Sequence, residues 1–210
     1  MLNKQTTISV EDALPGRSTP IKIEPIHFVN HSDLFAPLTE NQQVVLLGMG
    51  CFWGAERLFW QQPGIVSTSV GYSGGYTPNP TYQEVCSGQT GHTEVVRVVF
   101  DQNITNLETI LSLFWEKHNP TQGMRQGNDL GTQYRSAIYT YSDQQQAIAQ
   151  HSKQAYQHAL NQEQLVEITT EIYPAGPYYF AETYHQQYLA KNPNGYCGLN
   201  GTGVCFPMTD

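Results

Sequence analysis

The chain has 210 residues and a mass of 23.6 kDa, the size of one substantial domain or at most two small ones. Its formal net charge of −8 would repel a phosphate backbone, which argues against broad nucleic-acid binding. Hydrophobic residues make up 39% of the chain, including 8 Phe, 13 Tyr and 3 Trp, which is too apolar for a disordered protein. We therefore expect a folded globular protein.

Targeting segments and cysteine content bear on the cellular compartment of the protein. Its first thirty residues contain no apolar signal-peptide core, and its longest aliphatic run, 44–47, is far below the roughly 20 residues that a membrane helix needs. We therefore predict neither secretion nor membrane insertion. Four cysteines in such a chain favour a reducing compartment, so we expect a cytoplasmic protein whose thiols are catalytic, metal-bound or buried.

The two ends of the chain differ from its middle. Residues 1–43 contain four prolines and no sustained hydrophobic period, which predicts an N-terminal extension that packs on the domain or trails from it. Residues 191–210 are rich in glycine, and we predict a flexible C-terminal tail. The middle, 44–190, is predicted to be the catalytic domain.

This middle part alternates between strand and helix patterns. An apolar strand at 44–50 leads into a helix at 52–62, so Cys51 falls at a strand-to-helix junction. The further predicted elements are strands at 65–71, 93–100, 135–141 and 167–173, helices at 105–118 and 142–162, and a short helix near His185. The alternation predicts one α+β domain, in which helices pack on a mixed sheet as a two-layer αβ sandwich.

Turn and capping residues refine this outline. Thr105 with Glu108 and Ser142 with Gln145 match the capping-box signature at the starts of two helices. The Gly- and Pro-rich segment 71–80 is longer than a simple hairpin turn, and loops of that length are usually functional or mobile. We therefore expect extended loops near Cys51.

Cys51 is the first candidate for chemistry. It lies between glycines at the first turn of a predicted helix, where unpaired N–H groups and the helix dipole favour an anion, so we expect a lowered pKa and a reactive thiolate. A buried structural cysteine is the alternative. The adjacent Phe52 and Trp53 are either core residues or the wall of an apolar pocket beside the nucleophile.

Cys197 and Cys205 form a second candidate feature. Two thiols in a glycine-rich tail far along the chain are suited to resolving an oxidised cysteine elsewhere. A four-cysteine zinc site is the alternative, although the closely spaced cysteine pairs typical of such sites are missing. Cys86 lies in a short segment with the spacing of a buried helical turn, and we take it as structural.

Glu94 stands at the head of a valine-rich strand. A carboxyl group that faces an apolar pocket there would have a raised pKa and could donate a proton near pH 7. A solvent-facing strand position is the alternative. His92, His118 and His185 have no metal-ligand spacing and no nearby acidic partner in the sequence, so we interpret all three as structural.

Several motifs, in order from about Val44 to Cys205, resemble the A-type peptide methionine sulfoxide reductases. The matching segments are Gly-Cys-Phe-Trp-Gly-Ala-Glu at 50–56, Gly-Tyr-Ser-Gly-Gly-Tyr at 71–76, Asn-Pro-Thr-Tyr at 79–82, Gly-His-Thr-Glu-Val at 91–95, Gly-Asn-Asp-Leu-Gly-Thr-Gln-Tyr-Arg-Ser at 127–136 and Tyr-His-Gln-Gln-Tyr at 184–188. Their number and common order make the resemblance specific. It implies a ferredoxin-like plait.

The resemblance also implies a role for each matching residue. Cys51 would be the nucleophile, Glu94 the acid, Phe52 and Trp53 the methyl pocket, Tyr82 and Tyr134 donors to the sulfoxide oxygen, Asp129 a substrate-orienting group, and Cys197 and Cys205 the first and second resolving cysteines. The implied reaction reduces methionine S-sulfoxide, in oxidised proteins and as the free amino acid. It needs no metal or other cofactor, and thioredoxin or a dithiol supplies the electrons. We expect a monomer that serves in protein repair.

Three other functions share part of this pattern. A thiol peroxidase would also use a reactive cysteine with a distant resolving cysteine, but it would consume peroxide. A redox-regulated or methionine-binding module would bind without turnover. A zinc-stapled structural protein would retain metal on purification.

Overall fold

The structure, a computed structural model, describes residues 5–207. In chain order its regular elements are β1 (Gln42–Met49), α1 (Phe52–Trp60), β2 (Ile65–Ser73), α2 (Tyr82–Cys86), β3 (Thr93–Asp101), α3 (Leu107–Lys117), β4 (Arg125–Gln126), β5 (Asp129–Leu130), a 3-10 helix (Thr132–Tyr134), β6 (Ser136–Thr140), α4 (Asp143–Gln162), β7 (Glu171–Pro174), β8 (Tyr179–Phe180) and α5 (Tyr188–Lys191).

Six of the strands form one mixed sheet in the order β7-β6-β1-β3-β2-β8. All neighbouring strands are antiparallel except β6 and β7, which are parallel. The strands β1, β2, β3 and β6, with α1 and α3 as the connections, have the topology of a ferredoxin-like plait. The predicted α+β fold with a mixed sheet is therefore confirmed.

The central strand β1 is buried on both of its faces. Because successive side chains of a strand point to opposite sides, Val45 and Leu47 join the main core under the helices, whereas Leu46 joins a smaller cluster on the other side. That smaller cluster is covered by Ala175 and Tyr178 from the loop before β8. Burial on both sides explains why β1 appears in the sequence as a continuous apolar run.

The N-terminal arm, residues 5–41, contacts the domain at several points. His27 is fully buried, and its Nε2 lies 3.0 Å from the Thr68 hydroxyl on β2. The backbone N–H groups of Val29 and Asn30 both donate to His27 Nδ1, so Nε2 carries the proton and donates to Thr68. The arm thus contributes a buried polar side chain to the domain.

The start of α3 differs from the sequence prediction. Asn106 is the N-cap residue, and its side-chain oxygen accepts a hydrogen bond of 2.8 Å from the Thr109 N–H. The predicted capping box of Thr105 and Glu108 is wrong because the helix begins one residue later than that pairing requires. At α4 the prediction is confirmed for Ser142, which caps the helix by accepting from the Gln145 N–H.

The short strands β4, β5 and β8 were not predicted from the sequence. Each has two residues, too few to show an alternating pattern. They matter for the site because β5 carries Asp129. None of the helices within residues 5–207 combines the length and the hydropathy of a transmembrane span.

The assignment of Asn106, rather than Thr105, as the N-cap residue of α3 can be tested directly. Asn106→Ala should lower the free energy of unfolding by about 1 kcal/mol, because the Thr109 N–H loses its partner. Thr105→Val keeps the methyl group that lies near Gly64 and should change that free energy by less than about 0.5 kcal/mol. Urea denaturation of both variants measures the difference, and a larger loss in the Thr105 variant would restore the capping box.

Candidate active site

Cys51 lies where β1 passes into α1. The preceding Gly50 has φ +85°, and a Cβ there would stand 2.4 Å from the Gln126 side chain, so only glycine suits this turn. Cys51 is the N-cap residue of α1, and its side chain makes no capping hydrogen bond. The predicted strand-to-helix junction is confirmed.

The predicted lowering of the Cys51 pKa is wrong for the protein without substrate. Burial raises the pKa of the thiol, and the nearby Glu94 carboxylate raises it further. The nearby backbone N–H of Trp53 lowers the pKa but is outweighed. A helix N-terminus offers N–H donors, yet it does not compensate for the removal of a thiolate from water, so Cys51 is protonated at neutral pH.

Glu94 lies on β3 and is 1% exposed, so the solvent-facing alternative is excluded. Its Oε2 accepts a hydrogen bond of 3.1 Å from the Phe52 N–H, one of the free donors at the start of α1. Burial raises the Glu94 pKa to about 8, and the charge of Asp129 adds to the effect. Glu94 is therefore mainly a neutral carboxylic acid at pH 7, as the sequence prediction of a proton donor requires.

Two tyrosines share this environment. Tyr82 is the first residue of α2, and Tyr134 is the last residue of the 3-10 helix. Burial raises the pKa of each phenol, and the Glu94 charge raises both further. Both phenols therefore remain protonated at neutral pH and can act as hydrogen-bond donors.

Phe52 and Trp53 form an aromatic wall beside Cys51. Phe52 is 1% exposed and is part of the main core, while Trp53 is only partly buried. The Trp53 ring stacks on Tyr188 with centroids 3.9 Å apart and planes at 15°. Phe52 is therefore a core residue next to Cys51, and Trp53 is partly exposed beside it, so the role of both in a methyl pocket stays a prediction.

His185 belongs to the same wall, although the sequence analysis treated it only as structural. Its Nδ1 accepts a hydrogen bond of 3.1 Å from Trp53 Nε1, and its ring centroid lies 4.5 Å from that of Tyr82. Burial lowers the His185 pKa to about 4, so the ring is neutral and can accept from Trp53. The aromatic-rich segment 184–188 was the signal for this role.

The other two histidines are structural, as predicted. His92 is buried, accepts from the Gly75 N–H at Nδ1 and lies 2.7 Å from the Thr77 carbonyl oxygen at Nε2. His118 is buried between the Phe114 carbonyl and the Ser136 hydroxyl. Both rings thus hold loops and helix ends in place.

Asp129 lies at the exposed side of the site, on β5. Its Oδ2 accepts a hydrogen bond of 3.1 Å from the Tyr196 hydroxyl. Tyr196 precedes Cys197 and was not singled out in the sequence. The contact connects the C-terminal tail to the rim of the site.

Cys197 lies close to the first turn of α1. A Cβ on Gly54 would stand 2.8 Å from the Cys197 sulfur, so the thiol packs directly on this glycine. The charge of Cys197 also acts on Cys51. The structure therefore brings Cys197, far along the chain, against Gly54, three residues after Cys51.

Cys205 is exposed and sits between two anchoring contacts of the tail. The Tyr156 hydroxyl donates to the Val204 carbonyl at 3.0 Å, and the Phe206 N–H donates to Glu116 Oε1 at 2.8 Å. The tail is thus tied to α3 and α4 on both sides of this thiol.

The zinc alternative requires a cluster of ligands. Between residues 5 and 207, no group of three or more His, Cys, Asp or Glu side chains is placed to hold a metal ion. Cys86 instead contacts Tyr82, since the two side chains share a hydrogen bond.

Comparison with known proteins gives consistent matches. A family model described as peptide methionine sulfoxide reductase matches residues 43–203. A peptide methionine sulfoxide reductase MsrA from Vibrio parahaemolyticus is 74% identical over 99% of this chain and 98% of its own. The solved structure of methionine sulfoxide reductase A of Corynebacterium diphtheriae is 46% identical, with a TM-score of 0.82 over 91% of this chain and 93% of that chain.

A further solved structure is similar in fold alone. It is Mxr1 from Saccharomyces cerevisiae in complex with Trx2, which is 20% identical, with a TM-score of 0.54 over 79% of this chain and 94% of that chain.

The electrostatic link between Glu94 and Cys51 is testable without substrate. Because the thiol titrates above the Glu94 pKa of about 8, Glu94 is charged when Cys51 ionises. Glu94→Gln removes that charge and should lower the Cys51 pKa by about 1. The pH dependence of iodoacetamide alkylation, followed by mass spectrometry of the Cys51 peptide, measures it. The exposed Glu108→Gln is the control, and an unchanged Cys51 pKa in the Glu94 variant would contradict the link.

Proposed function

Because the chain belongs to the peptide methionine sulfoxide reductase family, we propose that Cys51 attacks the sulfur of methionine S-sulfoxide, in oxidised proteins and as the free amino acid. The observation that carries the proposal is the neutral, buried Glu94 beside the Cys51 thiol. A sulfoxide sulfur is a poor electrophile until its oxygen receives a proton or strong hydrogen bonds. The site offers an acid and two phenol donors for that oxygen.

Glu94 is the proton donor in this proposal. Its pKa of about 8 keeps most of the carboxyl groups protonated at pH 7, and burial favours delivery of the proton to a ligand over loss to water. The neutral form also suits the nucleophile, since it no longer opposes ionisation of Cys51. Tyr82 and Tyr134 support the oxygen with hydrogen bonds.

In net terms the oxygen passes from the substrate sulfur to the Cys51 sulfur. The substrate sulfur gains two electrons and becomes the thioether of methionine, while Cys51 loses two and becomes a sulfenic acid. The Cys51 thiol proton remains in the sulfenic acid hydroxyl, so the proton that Glu94 lends is returned to it. This step requires only thiol chemistry.

The arrangement of the walls selects one epimer. The sulfoxide sulfur carries an oxygen, a methyl group and the rest of the methionine side chain. In the bound substrate the oxygen would face Glu94, the methyl group would face Trp53 and the main chain would face Asp129. Only one face of the sulfur would then be open to Cys51, so the pocket accepts one epimer. The resemblance to the A-type enzymes assigns the S epimer.

The tail completes the cycle. The Cys197 thiol attacks the sulfenic sulfur of Cys51, a disulfide forms and water leaves. The Cys205 thiol then attacks the Cys197 sulfur, which frees Cys51 and leaves a Cys197–Cys205 disulfide. The contact of the Cys197 sulfur with Gly54 supports Cys197 as the first resolving cysteine. For the Cys205 thiol to reach the Cys197 sulfur, the hydrogen bonds that hold the tail on both sides of Cys205 must break.

A thioredoxin-like dithiol protein returns the tail disulfide to two thiols. Cys205 and Cys197 are both exposed, so a partner can reach either sulfur. That a yeast protein of this fold was solved in complex with Trx2 is consistent with such a partner. The thiols are the only redox groups this cycle uses.

We place the enzyme in the cytoplasm, where thiols stay reduced. We also propose that it is a monomer, since one chain supplies every group assigned to the site.

The activity is tested with separated epimers. Purified protein and a small dithiol should consume the S epimer of a blocked methionine sulfoxide and leave the R epimer, as resolved on a chiral column. Cys51→Ser should abolish consumption, because serine cannot form the sulfenic acid. Loss of peroxide but of neither epimer would support a thiol peroxidase, and binding without turnover would support an interaction module.

The relay is tested by the choice of reductant. Cys205→Ser should lose turnover with thioredoxin while it retains turnover with a small dithiol that can reach the Cys51–Cys197 disulfide. Dithiol-supported turnover of the same variant is the internal control for folding and for the reductase step. Wild-type turnover with thioredoxin would remove Cys205 from the cycle.

A further inference from the structure

The N-terminal arm crosses the turn that leads into α2. The Leu14 N–H donates to the Gln89 carbonyl at 2.9 Å, and the Leu14 carbonyl accepts from the Thr77 hydroxyl at 2.9 Å. The Arg17 N–H donates to the Pro78 carbonyl at 3.1 Å. Three hydrogen bonds thus fix the arm against both ends of the segment that contains α2.

Arg17 also holds the strained residue of this turn. Asn79 has φ +48°, a left-handed conformation that is uncommon outside glycine. The Asn79 side chain donates to the Arg17 carbonyl at 2.8 Å, and Arg17 Nη1 donates back to the Asn79 carbonyl at 2.6 Å. Gly16, with φ +64°, allows this approach, since a Cβ there would stand 2.3 Å from the Pro78 oxygen.

The same guanidinium reaches into α2. Arg17 Nη2 lies 2.7 Å from Glu84 Oε1, and Nη1 lies 2.9 Å from Oε2, which is a two-point contact. Glu84 Oε2 also accepts from the Thr81 N–H at 2.8 Å, within the capping box that begins α2. Arg17 holds the Glu84 pKa at about 2, so the carboxylate is charged throughout the neutral range.

Tyr82 is the residue that this arrangement controls. It is the first residue of α2, a helix of five residues that is too short to be stable alone. On the inner side its N–H donates to Glu182 Oε1 at 2.8 Å, and its ring packs on His185. Its side chain shares a hydrogen bond with Cys86 at the end of α2, while Arg17 holds Asn79, before Tyr82, and Glu84, after it.

We propose that Arg17 is a positioning residue, which through Asn79 and Glu84 holds the Tyr82 hydroxyl where it donates to the sulfoxide oxygen. The inference rests on the role of Tyr82 in the proposed function. It assigns the N-terminal arm a part in the reductase step, although Arg17 itself does not contact the substrate. Arg17 is half-exposed, so its replacement leaves the core intact.

The test is a double-mutant cycle on the rate constant of single-turnover reduction of the S epimer. Arg17→Ala should lower that rate constant by about tenfold in the wild-type background. In the Tyr82→Phe background, where no hydroxyl remains to be positioned, it should lower the rate constant by less than about twofold. Glu84→Gln should behave like Arg17→Ala. Arg17→Lys should recover part of the rate, because lysine keeps the charge but not the two-point contact.

A matched control separates positioning from general loosening of the arm. Asn30 also ties the arm to the domain, by donating to the Val66 carbonyl at 2.9 Å, far from α2 in sequence. Asn30→Ala should retain the wild-type rate constant, and thermal unfolding shows that each variant is folded at the assay temperature.

Three results would overturn the inference. A wild-type rate constant for Arg17→Ala would do so while the proposed function stands. An equal loss in both backgrounds would make the effect of Arg17 independent of Tyr82. A wild-type rate constant for Tyr82→Phe would remove Tyr82 from the proposed function and the inference with it.

Discussion

The hydrogen bond from the Phe52 N–H to Glu94 Oε2, 3.1 Å long, joins the start of α1 to β3 at the point where Cys51 lies. This hydrogen bond favours the charged carboxylate, but the burial of both groups outweighs it, so Glu94 stays largely protonated and the Cys51 thiol stays neutral. The protein without substrate is thus protected from indiscriminate thiolate chemistry. In the proposed reaction, reactivity depends on a ligand that can accept the Glu94 proton.

A second buried carboxyl group supports the aromatic wall. Glu56 is fully buried on α1 and accepts from both the backbone and the side-chain N–H of Gln187, each at 2.7 Å. Gln187 has φ +47°, so these bonds hold a strained residue between His185 and Tyr188, the two rings that contact Trp53. The position of Trp53 is therefore set by packing and hydrogen bonds from a distant part of the chain.

The N-terminal arm and the C-terminal tail, within residues 5–207, both return to this centre. The arm reaches the turn before Tyr82 through Arg17, and the tail places Cys197 on Gly54. The contacts differ in kind: Arg17 makes a charged two-point contact. The tail near Cys205 is held by hydrogen bonds of the Tyr156 hydroxyl with Thr202 and Val204, by the Phe206 N–H to Glu116, and by stacking of Phe206 on Tyr156. This difference suits an arm that stays in place and a tail that moves in the proposed disulfide exchange.

The sequence by itself determined the α+β order of strands and helices, the junction at Cys51 and the motifs that carry the family resemblance, because these depend on local periodicity and short spacings. It misplaced the cap of α3, and it assigned Cys51 a lowered pKa from its helix position alone. Only the tertiary structure decided that burial outweighs the helix N-terminus, that His185 supports Trp53, and that the arm reaches Glu84 on α2. Burial and contacts between distant residues are properties of the packed chain, and no local pattern encodes them.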